Sequence, residues 1–223
     1  MKPNLSVLPK SQKGLFVELK DTPSHFVLYG GTAIALRLGH RVSVDFDFFT
    51  HQSFDPDTLY QKIPYLKNSE ILQKEENTLT CLVNRQGPIK VSFFGNISLK
   101  RICKPEIIDG PNIKIASLLD LAGMKAAVIQ KRAASRDYID IEALIMKAGI
   151  DLLTALAAGF VIYGNQFNPQ ITLKALVYFK GGDLKSLPQK VKNNLLKAIQ
   201  TVALEEIPTR IIELQEMQKK KQC

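Results

Sequence analysis

A chain of 223 residues, 45% apolar and 23% charged, can bury a core as one large domain or two small ones and is expected to fold by itself. No apolar run approaches the roughly 20 residues of a membrane-spanning helix, and residues 1–13 have no apolar stretch of the secretory kind, so no membrane partner and a cytoplasmic location are expected. The formal net charge of +9 favours an anionic partner, whether a nucleotide, RNA or simply acidic surfaces in the cell.

In chain order, residues 11–20 suit a short helix closed by the turn chemistry of Asp21-Thr22-Pro23-Ser24, and residues 25–29 a short apolar strand. Gly30-Gly31 breaks that strand, and residues 32–38 read as a helix opening just after the glycines. Residues 42–49 read as the most informative strand. Period-two alternation puts Val42, Val44, Phe46 and Phe48 on a core face and Ser43, Asp45 and Asp47 on the other. Aspartates are depleted in strands, and two at i and i+2 on one face repel unless a cation or donors lie between them.

Residues 55–66 look helical, and residues 70–75, 79–84 and 88–94 look like strands joined by short turns. From residue 117 the pattern turns helical, with helices expected over 117–132, 137–148, 152–163, 172–179 and 189–204. The division falls near Ala116, giving residues 1–115 as an α/β domain and 116–223 as a helical domain. Cys81, Cys103 and Cys223 are widely spaced, with no CxxC pair or nearby histidine to complete a zinc site, and read as reduced and structural.

On a helical wheel Lys125 lies inside the apolar stripe of Leu118, Leu121, Ala122 and Ile129. A lysine there is costly unless paired or snorkelling. In the next helix Asp137 falls in the stripe of Ile141, Leu144 and Ala148, with Asp140 on its flank, so facing helices would let Lys125 meet these carboxylates. Plainer readings stand beside these. Gly30-Gly31 alone is an ordinary turn, Asp45 and Asp47 a solvated strand face, Asp137 a complement to the helix dipole, and Arg136 with Asp140 an i,i+4 pair.

Taken together, Gly30-Gly31-Thr32, the run His40-Arg41-Val42-Ser43-Val44-Asp45-Phe46-Asp47-Phe48-Phe49, residues 125–132 (KAAVIQKR) and Arg136-Asp137-Tyr138-Ile139-Asp140-Ile141 resemble the nucleotidyltransferases related to DNA polymerase β. The resemblance is to their AbiEii/AbiGii toxin branch and covers most of the chain. It implies an α+β fold, a nucleotidyltransferase-type mixed sheet with flanking helices followed by a C-terminal helical region that completes the active site. It implies Mg²⁺ on Asp45 and Asp47, and an NTP approached by the backbone of Gly30 and Gly31 with Thr32, Arg41, Ser43 and Arg132. It further implies Lys125 at phosphate and Asp137 or Asp140 completing the site.

A toxin of this kind would modify an acceptor, tRNA before a protein hydroxyl, and would have a cognate antitoxin protein. Two other classes stay open: a non-catalytic RNA- or protein-binding module on the same fold, and a transferase acting on a small molecule. The departure from the family pattern is Ser92, which stands where many polymerase β-like enzymes carry a third carboxylate.

Overall fold

Seven strands form one mixed sheet among the described residues, which in this computed structural model are 1–98 and 100–221; Cys223 lies outside them. The chain divides into two compact units, Met1–Leu99 with Pro105–Ala116, and Lys100–Lys104 with Ser117–Cys223.

The first unit holds the sheet. Helix α1 (Lys10–Phe16) leads to β1 (Val27–Tyr29), α2 (Gly30–Leu38), β2 (Phe46–Phe49) and α3 (Pro56–Lys62). Then follow β3 (Glu70–Glu75), β4 (Thr78–Asn84), β5 (Pro88–Phe94), β6 (Glu106–Ile107) and β7 (Lys114–Ile115). Strand order is β3-β4-β5-β2-β1-β7-β6. β2 runs antiparallel to β1 and parallel to β5. Asp55 caps α3 by accepting from the Thr58 amide, with Pro56 opening the helix where a missing N–H costs nothing.

One sheet face is apolar because strand side chains alternate. Leu28, Phe46, Phe48, Leu79, Val91 and Phe93 are fully buried, and the Phe48 and Phe93 rings stack at 5.4 Å. The opposite face carries Asp47 in register with Tyr29 of β1 and Ser92 of β5, and Ser92 in turn with Thr80 of β4.

The strand expected over 42–49 starts only at Phe46. Val42 and Val44, expected in the core, are 60% and 44% exposed. Their alternation meets no neighbouring strand. Loop contacts fix the segment instead: the Ser43 amide donates to the Val7 carbonyl and Gln12 Nε2 to the Val44 carbonyl. The short strands β6 and β7 and the last helix fall where no element was expected.

The second unit is helical: α4 (Leu118–Ile129), α5 (Ser135–Met146), α6 (Leu152–Tyr163), α7 (Pro169–Val177), α8 (Gln189–Gln200) and α9 (Ile207–Lys221). α6 is apolar nearly all round and so belongs inside; its buried residues include Leu152, Leu156, Ala157, Ala158 and Val161. α4 lies close against it at Gly123, where an added Cβ would stand 2.7 Å from the Ala158 carbonyl carbon. A buried Asp120 ties residues 102 and 103 to α4, accepting from both amides and from Ser117 Oγ. No helix among the described residues is long and apolar enough to cross a membrane.

Candidate active site

In the sheet unit, the turn from β1 into α2 brings Gly30 against Asp47. Gly30 has φ +75°, and a Cβ there would lie 2.8 Å from Asp47 Oδ2. Only glycine fits both demands. Gly30→Ala is therefore expected to lower the unfolding free energy by about 1–3 kcal/mol, the usual range for a strained left-handed residue. Urea unfolding checks this, and a variant as stable as the parent would show that the carboxylate moves aside freely.

Thr32 closes the other side of the turn. Its hydroxyl shares a hydrogen bond with Ser43 Oγ at 2.7 Å and donates a short one to the Asp45 carbonyl. Ser43 is buried, so Thr32 and Ser43 together fix the backbone that presents Asp45. Gly31 occupies the first turn of α2, which has no side-chain cap. Arg41 Nη1 donates to the Val42 carbonyl at 2.9 Å.

Lys90 enters this group without having been expected. Its Nζ lies 3.5 Å from Asp45 Oδ2, one alternation before Ser92 on the same face of β5. The signal was present in the period-two pattern of residues 88–94. What the local sequence does not carry is the parallel pairing of β5 with β2, a contact distant along the chain.

Asp45 and Asp47 are the carboxylates that would hold a Mg²⁺ ion arriving with a nucleotide. No group of three or more His, Cys, Asp or Glu is gathered as a metal cage among the described residues. Mg²⁺ does not need one: it is commonly held by one or two carboxylates plus substrate phosphates, keeping several waters.

In the helical unit, Lys125 of α4 reaches both carboxylates of α5. Its Nζ is 2.8 Å from Asp137 Oδ1 and 2.9 Å from Asp140 Oδ2. All three side chains are buried. Arg132 closes on Asp137 from the loop, with Nε to Oδ2 at 2.6 Å and Nη2 to Oδ1 at 3.1 Å, a two-pronged contact that suits guanidinium geometry. Burial pushes the Asp137 carboxyl up, but Arg132 and Lys125 more than reverse this and hold it below the usual carboxylate range. Tyr138 beside it is pushed up to about 12 by burial and by the Asp137 charge.

Residues 17–210 match the family model described as nucleotidyl transferase AbiEii toxin, type IV TA system. An uncharacterized protein of Aquifex aeolicus is 36% identical over 157 residues, covering 70% of this chain and 74% of its own. Among solved structures, MenT4, a nucleotidyltransferase toxin of Mycobacterium tuberculosis, is similar at TM-score 0.60 and 14% identity, over 94% of this chain and 90% of that one. JHP933 from Helicobacter pylori is similar at TM-score 0.51 and 18% identity, over 95% and 92%. At such identities these two structures speak for the fold alone: a nucleotidyltransferase-type mixed sheet with flanking helices.

Proposed function

The chain belongs to the AbiEii nucleotidyltransferase toxin family, and from that premise we propose that it transfers a nucleotide from an NTP to an acceptor, tRNA first, and is restrained by an antitoxin protein. The observation that carries this reading is the placement of Asp47 against Gly30, with Asp45 two residues earlier on a backbone fixed by Thr32 and Ser43.

Asp45 and Asp47 would hold Mg²⁺, which when bound offsets the negative charge that develops as pyrophosphate leaves. The uncapped start of α2 at Gly30 and Gly31 offers amides that lack an intrahelical acceptor and suit a phosphate oxygen. Thr32 and Ser43 act as positioning residues. Lys90 sets a cation beside Asp45, easing the repulsion between the two carboxylates. In the helical unit the proposed phosphate-directed cations are Lys125 and Arg132. Asp137 and Asp140 keep Lys125 charged and oriented, and Arg132 has about half its side chain exposed. The acceptor reading is supported by the net charge of +9, which favours a polyanion.

The experiment is transfer itself. With the protein, Mg²⁺, α-³²P NTP and total bacterial RNA, label is expected in a tRNA-sized band, and rising salt is expected to suppress it as counterion release weakens RNA binding. Label only in protein bands would move the acceptor to protein. A second reading, a non-catalytic binding module, is favoured by Ser92, which is in register with Asp47 where a third carboxylate would stand. No label with any of the four NTPs would sink the transferase reading in its favour.

A further inference from the structure

Most of the net positive charge of this protein lies in the helical unit. The helical unit holds 18 lysines and arginines against 10 acids, and the sheet unit 12 against 11. Within the helical unit the excess gathers again. Between Pro169 and Ala203 there are six lysines, Lys174, Lys180, Lys185, Lys190, Lys192 and Lys197, and a single acid, Asp183.

That acid does not neutralise them. Asp183 caps the start of α5, accepting from the Ser135 amide and hydroxyl, each at 2.6 Å. Among the described residues none of the six lysines makes an ion pair. Protein surfaces ordinarily interleave charges of both signs, so a one-sign cluster with its only acid engaged elsewhere is complementary to an anion.

An exposed aromatic lies within this stretch of sequence, between Lys174 and Lys180. Tyr178, the residue that ends α7, is 57% exposed, and Val177 before it is 49% exposed. The segment that carries the ring is anchored. Phe179 packs edge-on to Tyr138 at 6.3 Å, with Lys192 Nζ 5.9 Å from its ring centre. Gly182, at φ +50°, lies so close to the Ala133 carbonyl that no side chain would fit. Lys192 also donates to the Lys185 carbonyl. Ala133 directly follows Arg132, whose guanidinium holds Asp137. The aromatic and basic loop is thus fastened to the same segment as a phosphate-directed cation of the proposed site.

We propose that the surface of Tyr178, Lys180, Lys185 and Lys190 is the docking surface for the RNA acceptor, with the lysines on backbone phosphates and a base stacked on the Tyr178 ring. This rests on the transferase reading for its purpose but not for its existence. Lysines supply the sequence-independent part of RNA affinity, and an aromatic face adds stacking that any base can use. An acidic protein segment would meet the lysines but would have no comparable need of the ring. The anchored loop means that little ordering cost opposes binding.

The test uses the full chain and fluorescein-labelled bacterial tRNA, with anisotropy read across a salt series and MgNTP affinity measured by calorimetry on the same samples. Tyr178→Ala is expected to weaken tRNA binding roughly tenfold and Tyr178→Phe to restore it, since a stacked base contributes a factor of that order. The pair Lys180→Glu with Lys185→Glu is expected to weaken it further. It should also flatten the slope of log affinity against log salt by about 0.7–0.9 for each phosphate that is no longer neutralised. MgNTP affinity is expected to stay unchanged in all three. Variants that bind tRNA with the parent's affinity and salt slope would overturn the proposal, as would loss of antitoxin binding with tRNA binding intact. If the parent transfers no nucleotide but its tRNA binding still depends on Tyr178, the transferase reading fails and this surface stands. If transfer occurs and the variants are indifferent, the reverse holds.

Discussion

Lys125→Met is expected to destabilise the helical unit by about 3–5 kcal/mol, the range for breaking a buried ion pair from one side. The wheel reading alone favours Met as a mild change, because the thioether replaces most of the apolar stem. The structure alters that expectation. Lys125 lies between two carboxylates that are both fully buried, so its removal takes that cation from Asp140 and leaves Asp137 with Arg132 still beside it. The loss is electrostatic rather than steric.

A thermodynamic cycle isolates it. If the cost is stranded charge, Lys125→Met combined with Asp140→Asn should be more stable than Lys125→Met alone, a coupling that contacting residues show and distant ones do not. Acid supplies a second check. The folded state holds the Asp137 carboxyl below its unfolded range of about 4. Its contribution is therefore complete above that pH and is lost as pH falls through the folded value. In Lys125→Met that contribution shrinks, so the stability gap between parent and variant should hold steady from pH 7 to about 4 and narrow as pH falls below that through the folded value. A gap constant with pH, or a double variant no better than the single, would mean that Lys125 acts through packing. Lys125→Arg keeps the charge, and where its melting matches the parent's its transfer rate reports the phosphate role apart from stability.

How much of this was legible in the sequence depends on the range of the interactions involved. The strand at 88–94 and the helix at 152–163 match β5 and α6 because alternation or continuous apolar character fixes them locally; the strand at 70–75 matches β3 although all six of its residues are exposed. The Lys125 contact with α5 was legible for a related reason: a charge inside an apolar stripe demands a partner, and the next helix offered two. Residues 42–45 misled because alternation says which side chains share a face but not whether a neighbouring strand exists to pair with. The two-residue strands β6 and β7 are too short to carry a period at all. Helix α9 mixes its few buried residues, Ile207 and Leu214, with a largely polar run. Lys90 beside Asp45 needed the β2–β5 register, which no local pattern encodes. The basic loop around Tyr178 was hidden for another reason, since its lysines are ordinary singly and only the placement of Asp183 makes them a cluster.

Asp47→Asn and Asp45→Asn are expected to abolish divalent-dependent NTP binding and to cut transfer roughly a thousandfold or more, since losing a metal ligand removes several kcal/mol of transition-state stabilisation. The fold should not be the reason. Asn is nearly isosteric with Asp, so the contact of Asp47 with Gly30 survives. The Asp45 pair with Lys90 is partly exposed and contributes at most about 1 kcal/mol. In metal-free buffer, neutralising either carboxylate relieves its repulsion of the other, so melting should stay near the parent's in both variants. Calorimetric titration of MgNTP separates the outcomes without relying on turnover. Loss of binding in both variants, with melting preserved, places the metal and nucleotide on this pair of carboxylates. Parent-like affinity in both would remove the site from the face of β2, and the Gly30 approach to Asp47 would then be a packing contact alone.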